Sequence, residues 1–461
     1  MSETSFLSAD EIKVRRPDEK IPDPKKRNDV IRTRLARNDL WLPKQTAGKR
    51  WAVGCVALEI TQRCNLDCTL CYLSEHSQAV HDLPLAEIFR RIDLIYAHYG
   101  PRTDVQVTGG DPTLRQRDEL VAIVRYIAGK KMRPALFTNG ILATRDLLCE
   151  LSAAGLVDVA FHVDMTQGRK GFRTELELNE VRREYIERAR GLNLAVIFNT
   201  TLFAGNFEEV PALVKFFASV ADVVNFASFQ LQADTGRGVL REREDTISIN
   251  NTISRIRAGA GVPLSFDALL GGHHHCNRYA FTFVINGKLY DGLDNADLAV
   301  KVMNQTADVA FDRRDRGAGA RAFAAALLRR PSLWWPGFTW LARFIWRARK
   351  DLIAARGKVH KLSLFVHNFM DACQLEHDRI ESCIFMTITS DGPISMCMHN
   401  AKRDAFILQP VKFYRQGELR NWNPLKGETD ETTLQIPEPA EYPRMLKRGR
   451  TRQSYRSSLH G

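Results

Sequence analysis

Between Val56 and Phe229, six β-type runs alternate with helix-length amphipathic runs, and this alternation limits the possible folds more than any other feature. The expected strands are Val56–Ile60, Asp104–Thr108, Pro134–Thr138, Val157–Val163, Leu194–Thr200 and Val223–Phe229. Leu85, Ile88, Ile92, Ile95 and Tyr99 share one helical stripe, as do Leu120, Ile123, Val124 and Ile127 in the next unit. Helices are also expected at Thr144–Ala154, Glu175–Arg190 and Phe207–Val220, with Asn206 and Glu209 as cap candidates. Such alternation implies an α/β fold with a parallel sheet and outer helices. Right-handed crossovers curve it into a partial (βα)6 TIM-like barrel, with its chemistry at the C-terminal ends of the strands.

The alternation stops near Ser265, where the core expected over 51–265 gives way to a C-terminal α+β region, 266–436. Two hairpin signals mark that region: Phe281–Ile285 before Asn286-Gly287, and Ile384–Thr389 before Asp391-Gly392. Residues 1–50 read as a charged, partly flexible arm, and 437–461 as a basic, disordered tail. No uncharged apolar run reaches the length of a membrane span, and the first 30 residues do not read as a signal peptide. The expected location is the cytosol.

Nine cysteines, an odd number, favour metal binding or reactive thiolates over disulfides in such a chain. Cys64, Cys68 and Cys71 form C-x3-C-x2-C on the loop leaving the first strand. Three thiolates on a short loop can hold three corners of a [4Fe–4S] cubane and leave the fourth iron open. A zinc knuckle completed by His76 or His81 is the alternative.

In this segment the chain resembles the radical S-adenosylmethionine (SAM) superfamily. Thr108-Gly109-Gly110-Asp111-Pro112, at the end of the second strand, is similar to the glycine-rich motif that receives the methionyl amino group of SAM. The resemblance further implies that Asn139, Asp164 and Asn199, at successive strand ends, contact SAM, with helix capping as the other role open to Asp164 and Asn199. Leu70 departs from the family, which usually has an aromatic before the last cysteine. The implied cofactors are a [4Fe–4S] cluster and SAM, whose reductive cleavage gives a 5′-deoxyadenosyl radical that takes hydrogen from an unactivated C–H bond. No side chain is assigned a catalytic role beyond these cofactors, and flavodoxin or ferredoxin is the kind of electron donor implied.

Cys383 and Cys397 flank the second hairpin signal and are expected opposite one another across its strands. With Cys373 and Cys276 they could hold an auxiliary [4Fe–4S] cluster, a histidine replacing Cys373 or zinc being the alternatives. Cys55 and Cys149 read as buried structural thiols. The run His367-Asn368-Phe369-Met370-Asp371, the stretch from Glu376 to Cys383 and the hairpin ending at Cys397 resemble the archaeal tetraether lipid synthase group, radical SAM enzymes that join lipid tails. That group's cysteine-rich, rubredoxin-like N-terminal module is not matched here.

Formal charge is +12, and residues 313–361 carry 13 basic against 2 acidic residues, so the excess sits in one segment. There, Trp334, Trp335, Phe338, Trp340, Phe344 and Trp346 interleave with arginines. Leu341, Ile345 and Leu352 fall on one helical face, with Arg343, Arg347 and Lys350 on another. Such a helix suits an anionic membrane interface. A helix packed on the barrel with a solvated basic side and a nucleic-acid surface are the other readings. The expectation is therefore C–H activation on a lipid or other long apolar substrate, leading to C–C bond formation or alkyl-chain modification, by an enzyme peripheral to the inner face of the membrane. A peptide-modifying or pterin-methylating radical SAM enzyme is the alternative, and a non-catalytic Fe–S or zinc module for nucleic acid a third.

Overall fold

Along each core strand, large apolar side chains alternate with small or polar ones. Val56, Leu58 and Ile60, Val105 and Val107, and Leu136 all lie on one face of the sheet, buried in the main apolar core. The helices press their own stripes onto that face: Ile88, Ile92 and Ile95 from Leu85–Tyr99, and Ile123, Val124 and Ile127 from Arg117–Gly129. Period 2 in the strands and 3.6 in the helices thus bring the same kind of surface together. The computed structural model describes residues 5–19, 23, 26–237, 247–309, 313–415 and 418–430.

The strands are β1 (Cys55–Thr61), β2 (Asp104–Gly109), β3 (Arg133–Thr138), β4 (Asp158–His162), β5 (Ala195–Leu202) and β6 (Val224–Leu231), close to the expected runs. Beyond them come β7 (Asn277–Ile285), β8 (Lys288–Asp291), β9 (His360–Asn368), β10 (Phe385–Ile388) and β11 (Pro393–Ser395). All eleven form one sheet in the order β11-β10-β1-β2-β3-β4-β5-β6-β9-β7-β8. Strands β1 to β6 are parallel neighbours in chain order, while β10 joins β1 and β9 joins β6, both also in parallel. The C-terminal region therefore extends both edges of the barrel sheet instead of standing apart. Curvature brings those edges together: the ring of Phe385 on β10 lies 4.6 Å from His367 and 6.3 Å from Phe365 on β9. A separate three-stranded sheet, β12 (Val411–Arg415), β13 (Glu418–Asn423) and β14 (Glu428–Asp430), follows.

Several expectations need correction. The N-terminal stretch holds helices Ala9–Val14 and Arg27–Arg37 and pairs with the C-terminal region through Leu7 N to Leu375 O (2.8 Å) and Asp18 N to Pro393 O (2.7 Å). A capping box, Ser8 with Glu11, starts the first of these helices. Asn206 does not cap with its side chain; its amide donates to Glu175 and to Thr201 O and accepts from Phe203 N. The second hairpin is shorter than expected, because β11 ends at Ser395 and Cys397 lies in the helix Met396–Ala401. Cys149 is exposed, as it stands off the buried Leu147, Leu148 and Leu151 stripe of its helix, whereas Cys55 is buried. The polar tail from Pro437 lies outside the described residues.

Candidate active site

The inward face of the sheet is unusual for its small side chains. Ala57, Ala135, Ala160, Ala195, Ser228 and Ser363 all line one cavity of about 1730 Å³. In an ordinary (β/α) barrel such positions carry bulky branched residues that fill the interior. Here the lumen is hollow, and is larger than most small-molecule pockets.

The three cysteines of the first loop, Cys64, Cys68 and Cys71, line the C-terminal end of this lumen. A register shift in β1, between Glu59 and Thr61, delivers the chain to that loop. Burial pushes the Cys64 thiol up to about 11 and raises that of Cys68, with Cys71 adding to both and Cys64 to Cys68. Leu66 N lies 3.4 Å from Cys64 Sγ. Gly109 and Gly110 also line the cavity, and their backbone is fastened to the cysteine loop by Gly110 N to Thr61 O and Asp111 N to Arg63 O, both 2.8 Å. A Cβ on Gly109 would lie 2.0 Å from Thr61 O, and one on Gly110 1.9 Å from Arg63 O. Glycine is required because the cysteine loop itself packs there.

Of the other strand-end residues, Asn139 and Asn199 line the lumen, whereas Asp111, Pro112 and Asp164 do not. Asn139 Nδ2 donates to Asn65 Oδ1 (2.6 Å) and lies 4.0 Å from Cys64 Sγ. Asp111 accepts from Thr113 N (3.0 Å), Asn139 N (2.8 Å) and the Thr138 hydroxyl, tying β2 to β3. Asp164 accepts from Thr166 N (2.9 Å) and Thr201 N (2.8 Å), the capping role, and its other close partner is His162 Nε2 at 2.6 Å. His162, and not Asp164, lines the lumen. Burial works against its protonated form, but the Asp164 carboxylate outweighs this and raises its pKa. Its position on β4, in the inward-facing series with Asp158 and Ala160, is the signal sequence reasoning passed over.

Two buried arginines were also missed. Arg237 is bonded toward Cys71, and its Nη2 lies 3.4 Å from Leu66 O, so it places a cation over the cysteine loop. Its distance in sequence left no local signal. Arg403 lies over the Tyr72 ring at 4.7 Å and pairs with buried Glu59 at 2.9 Å. His76 and His81, the alternative zinc ligands, face the C-terminal region: His76 Nε2 lies 3.9 Å from Asp404, and His81 N donates to Pro424 O.

The second cysteine group is partly assembled. Burial is the largest cause of a raised pKa for Cys276, Cys383 and Cys397; Cys383 adds to it at Cys276, and Cys383 and Cys276 at Cys397, so that Cys276 reaches about 11 and Cys397 about 12. Arg379 Nε donates to Cys276 Sγ at 3.3 Å. Cys373 is exposed. Among the described residues, no three His, Cys, Asp or Glu side chains converge on a single-ion site.

Residues 58–217 match the sequence profile of the radical SAM superfamily. They form a radical SAM domain. Curated relatives include 7,8-dihydro-6-hydroxymethylpterin dimethyltransferase of Methanocaldococcus jannaschii, 27% identical over 39% of this chain and 36% of that protein. PqqA peptide cyclase of Bradyrhizobium diazoefficiens is 29% identical over 35% of this chain and 42% of its own length. GTP 3′,8-cyclase of Streptomyces coelicolor is 34% identical over 40% and 55%. The chain thus spans from about a third to just over half of these relatives. Streptococcus suis SuiB bound to its precursor peptide SuiA aligns with a TM-score of 0.35 at 13% identity, over 53% of this chain and 52% of that one.

A radical SAM domain takes a [4Fe–4S] cluster and SAM, and the residues present fit both. Three thiols on one loop, a glycine pair that lets β2 close onto that loop and a buried arginine beside the sulfurs suit an iron–sulfur group with an open site next to a polar pocket. Cys64, Cys68 and Cys71 would hold the cluster, and Gly109, Gly110, Asn139 and Asn199 border the space for SAM.

Proposed function

We propose that the protein is a radical SAM enzyme that functionalises an unactivated C–H bond of a lipid or other long apolar substrate. When bound, the cluster and SAM supply a 5′-deoxyadenosyl radical as the hydrogen abstractor. The chain's own residues position the substrate and exclude water from the lumen. The observation that carries this reading is the hollow lumen, which runs from the cysteine loop past Phe137, Ile197, Phe226 and Phe365 to Trp334 and Phe338 at the surface. The cluster and SAM would take the end beside the cysteines, and the stretch from Phe226 to Phe338 is left for an apolar chain.

The helix Trp334–Ala354 supports a membrane location. Its buried stripe is Phe344, Ala348 and Asp351, packed on Phe283 and Tyr290. The stripe with Leu341 and Ile345 is exposed, along with Phe338 (63%), Trp346 (68%) and Trp335 (73%). Arg343, Arg347 and Lys350 follow on the next stripe. Three stripes, one packed, one aromatic and one basic, are what an interfacial helix needs. No described helix is long and apolar enough to cross a membrane.

Cys276, Cys383 and Cys397 are proposed to hold an auxiliary [4Fe–4S] cluster; exposed Cys373, the fourth thiol of the sequence reading, stands as its remaining candidate ligand. The names of the relatives favour a second reading, a peptide or pterin substrate. The test is 5′-deoxyadenosine formation by the reduced, reconstituted protein. Stimulation by long-chain lipid vesicles, and not by peptides or pterins, is expected; the reverse overturns the lipid reading.

A further inference from the structure

The chain leaving β6 turns back onto the cysteine loop. Thr235 lines the lumen, and Arg237 N donates to Leu73 O at 2.8 Å. Between them, a Cβ on Gly236 would lie 2.4 Å from Cys71 O and 2.5 Å from the Tyr72 carbonyl carbon. Glycine therefore lets this segment close directly onto the last cysteine. The closure carries the Arg237 side chain into the protein, where it is 1% exposed.

A guanidinium is a planar fork of N–H donors whose charge is costly to bury without partners. The contacts of Arg237 are few and long: Nη2 lies 3.4 Å from Leu66 O and 3.9 Å from Asp67 Oδ1. Its Nε and Nη1 are buried and, among the described residues, have no hydrogen-bond partner. Two neighbouring arginines are committed to carboxylates instead, Arg63 to Asp82 at 2.5 Å and Arg403 to Glu59 at 2.9 Å. Donors left unmade at the depth of Arg237 cost free energy, and the same groups become strong ligands once an anionic acceptor is placed against them.

The charge of Arg237 is tied to all three cysteines. Burial works against it, yet Cys71 first, then Asp67 and Cys64, hold its pKa above the ordinary value. In return, against the larger effect of burial, it draws the thiols of Cys64 and Cys68 down.

We infer that Arg237 donates through Nε and Nη1 to the sulfurs of the cluster held by Cys64, Cys68 and Cys71, and so sets its reduction potential. Taking one electron from a low-potential donor makes a thiolate-bound cluster more negative by one charge. A buried cation with N–H groups on the sulfurs favours that form and makes the potential less negative. Arg237 is thus a positioning residue for the reductive step, acting before any substrate does. The inference rests on the cluster at the three cysteines and is independent of the substrate reading.

Electron paramagnetic resonance on the reconstituted full chain, reduced with dithionite, tests it on the cluster signal that SAM alters. With arginine labelled by nitrogen-15, pulsed spectra of the wild type should show nitrogen-15 coupling to that signal, and Arg237→Gln should remove it. In a redox titration, Arg237→Gln should lower the reduced-to-oxidised ratio at a fixed potential by about tenfold, or about 59 mV for one electron, with iron content unchanged. Arg237→Lys keeps the charge without the fork and should recover part of that ratio; it supplies the titration if the glutamine variant fails to fold. No coupling in the labelled wild type overturns the inference, as does an unchanged potential in the iron-loaded variants. Iron lost from both variants with circular dichroism unchanged makes Arg237 a brace for the loop and overturns it too. A wild type with no signal that responds to SAM overturns the cluster assignment itself, and the inference with it.

Discussion

Glu59 shows how a buried charge can be structural even when it borders an active site. Burial by itself would raise its pKa; Arg403 first, then His399 and Gln62, bring it down to about 2. A carboxyl depressed from about 4.3 unfolded contributes about 3 kcal/mol above that pH, lost progressively as pH falls toward 2. Arg403→Ala should therefore destabilise the fold by about 3–5 kcal/mol at pH 7, because Glu59 is left unpaired. Thermal melts from pH 7 to pH 3 check this: Glu59→Gln should flatten the acid-side loss of stability, and an unchanged acid limb would contradict the assignment. Neither residue was legible in the sequence, since the partners are 344 positions apart. Cys64, Cys68 and Cys71 were legible because one short loop carries them all. Asp164 was only half legible: its strand end was correctly placed, but its carboxylate serves Thr166, Thr201 and His162.

At the scale of elements, the strands and helices up to Leu231 follow from hydrophobic periodicity, since each buries one continuous face. The C-terminal strands did not follow so simply. Strand β10 pairs with β1 across more than 300 residues, a partnership that no local pattern encodes. The Trp-rich helix was recognised, but which face packs was not legible, because two apolar stripes compete and only packing on Phe283 and Tyr290 decides between them. Replacing Arg343, Arg347 and Lys350 with glutamate should weaken flotation with anionic vesicles by about tenfold or more, at roughly 1 kcal/mol per basic residue. Unchanged flotation would remove this helix as the membrane contact. At the glycine pair, Gly110→Ala forces a carbon against Arg63 O, so the cysteine loop must move. Reconstituted iron should fall by about four atoms per chain, with circular dichroism unchanged; full iron retention would show that the cradle is not needed.

For the whole molecule, the consequence of placing small residues on the inward face is a barrel whose interior is a cavity instead of a packed core. The C-terminal region then has three roles: it widens the sheet at both edges, brings three cysteines together beside the lumen, and covers its far end with an aromatic, basic helix. Two clusters would give about eight irons per chain, falling to about four in Cys397→Ala with some SAM cleavage retained. Cys68→Ala should abolish cleavage. Equal loss of cleavage in both folded variants would contradict separate sites. The central claim is that the lumen presents an alkyl chain to the radical. The direct test is incubation of the reduced, SAM-loaded protein with vesicles of phospholipid carrying perdeuterated chains. Deuterium should appear in 5′-deoxyadenosine; 5′-deoxyadenosine formed in their presence without deuterium would contradict the account.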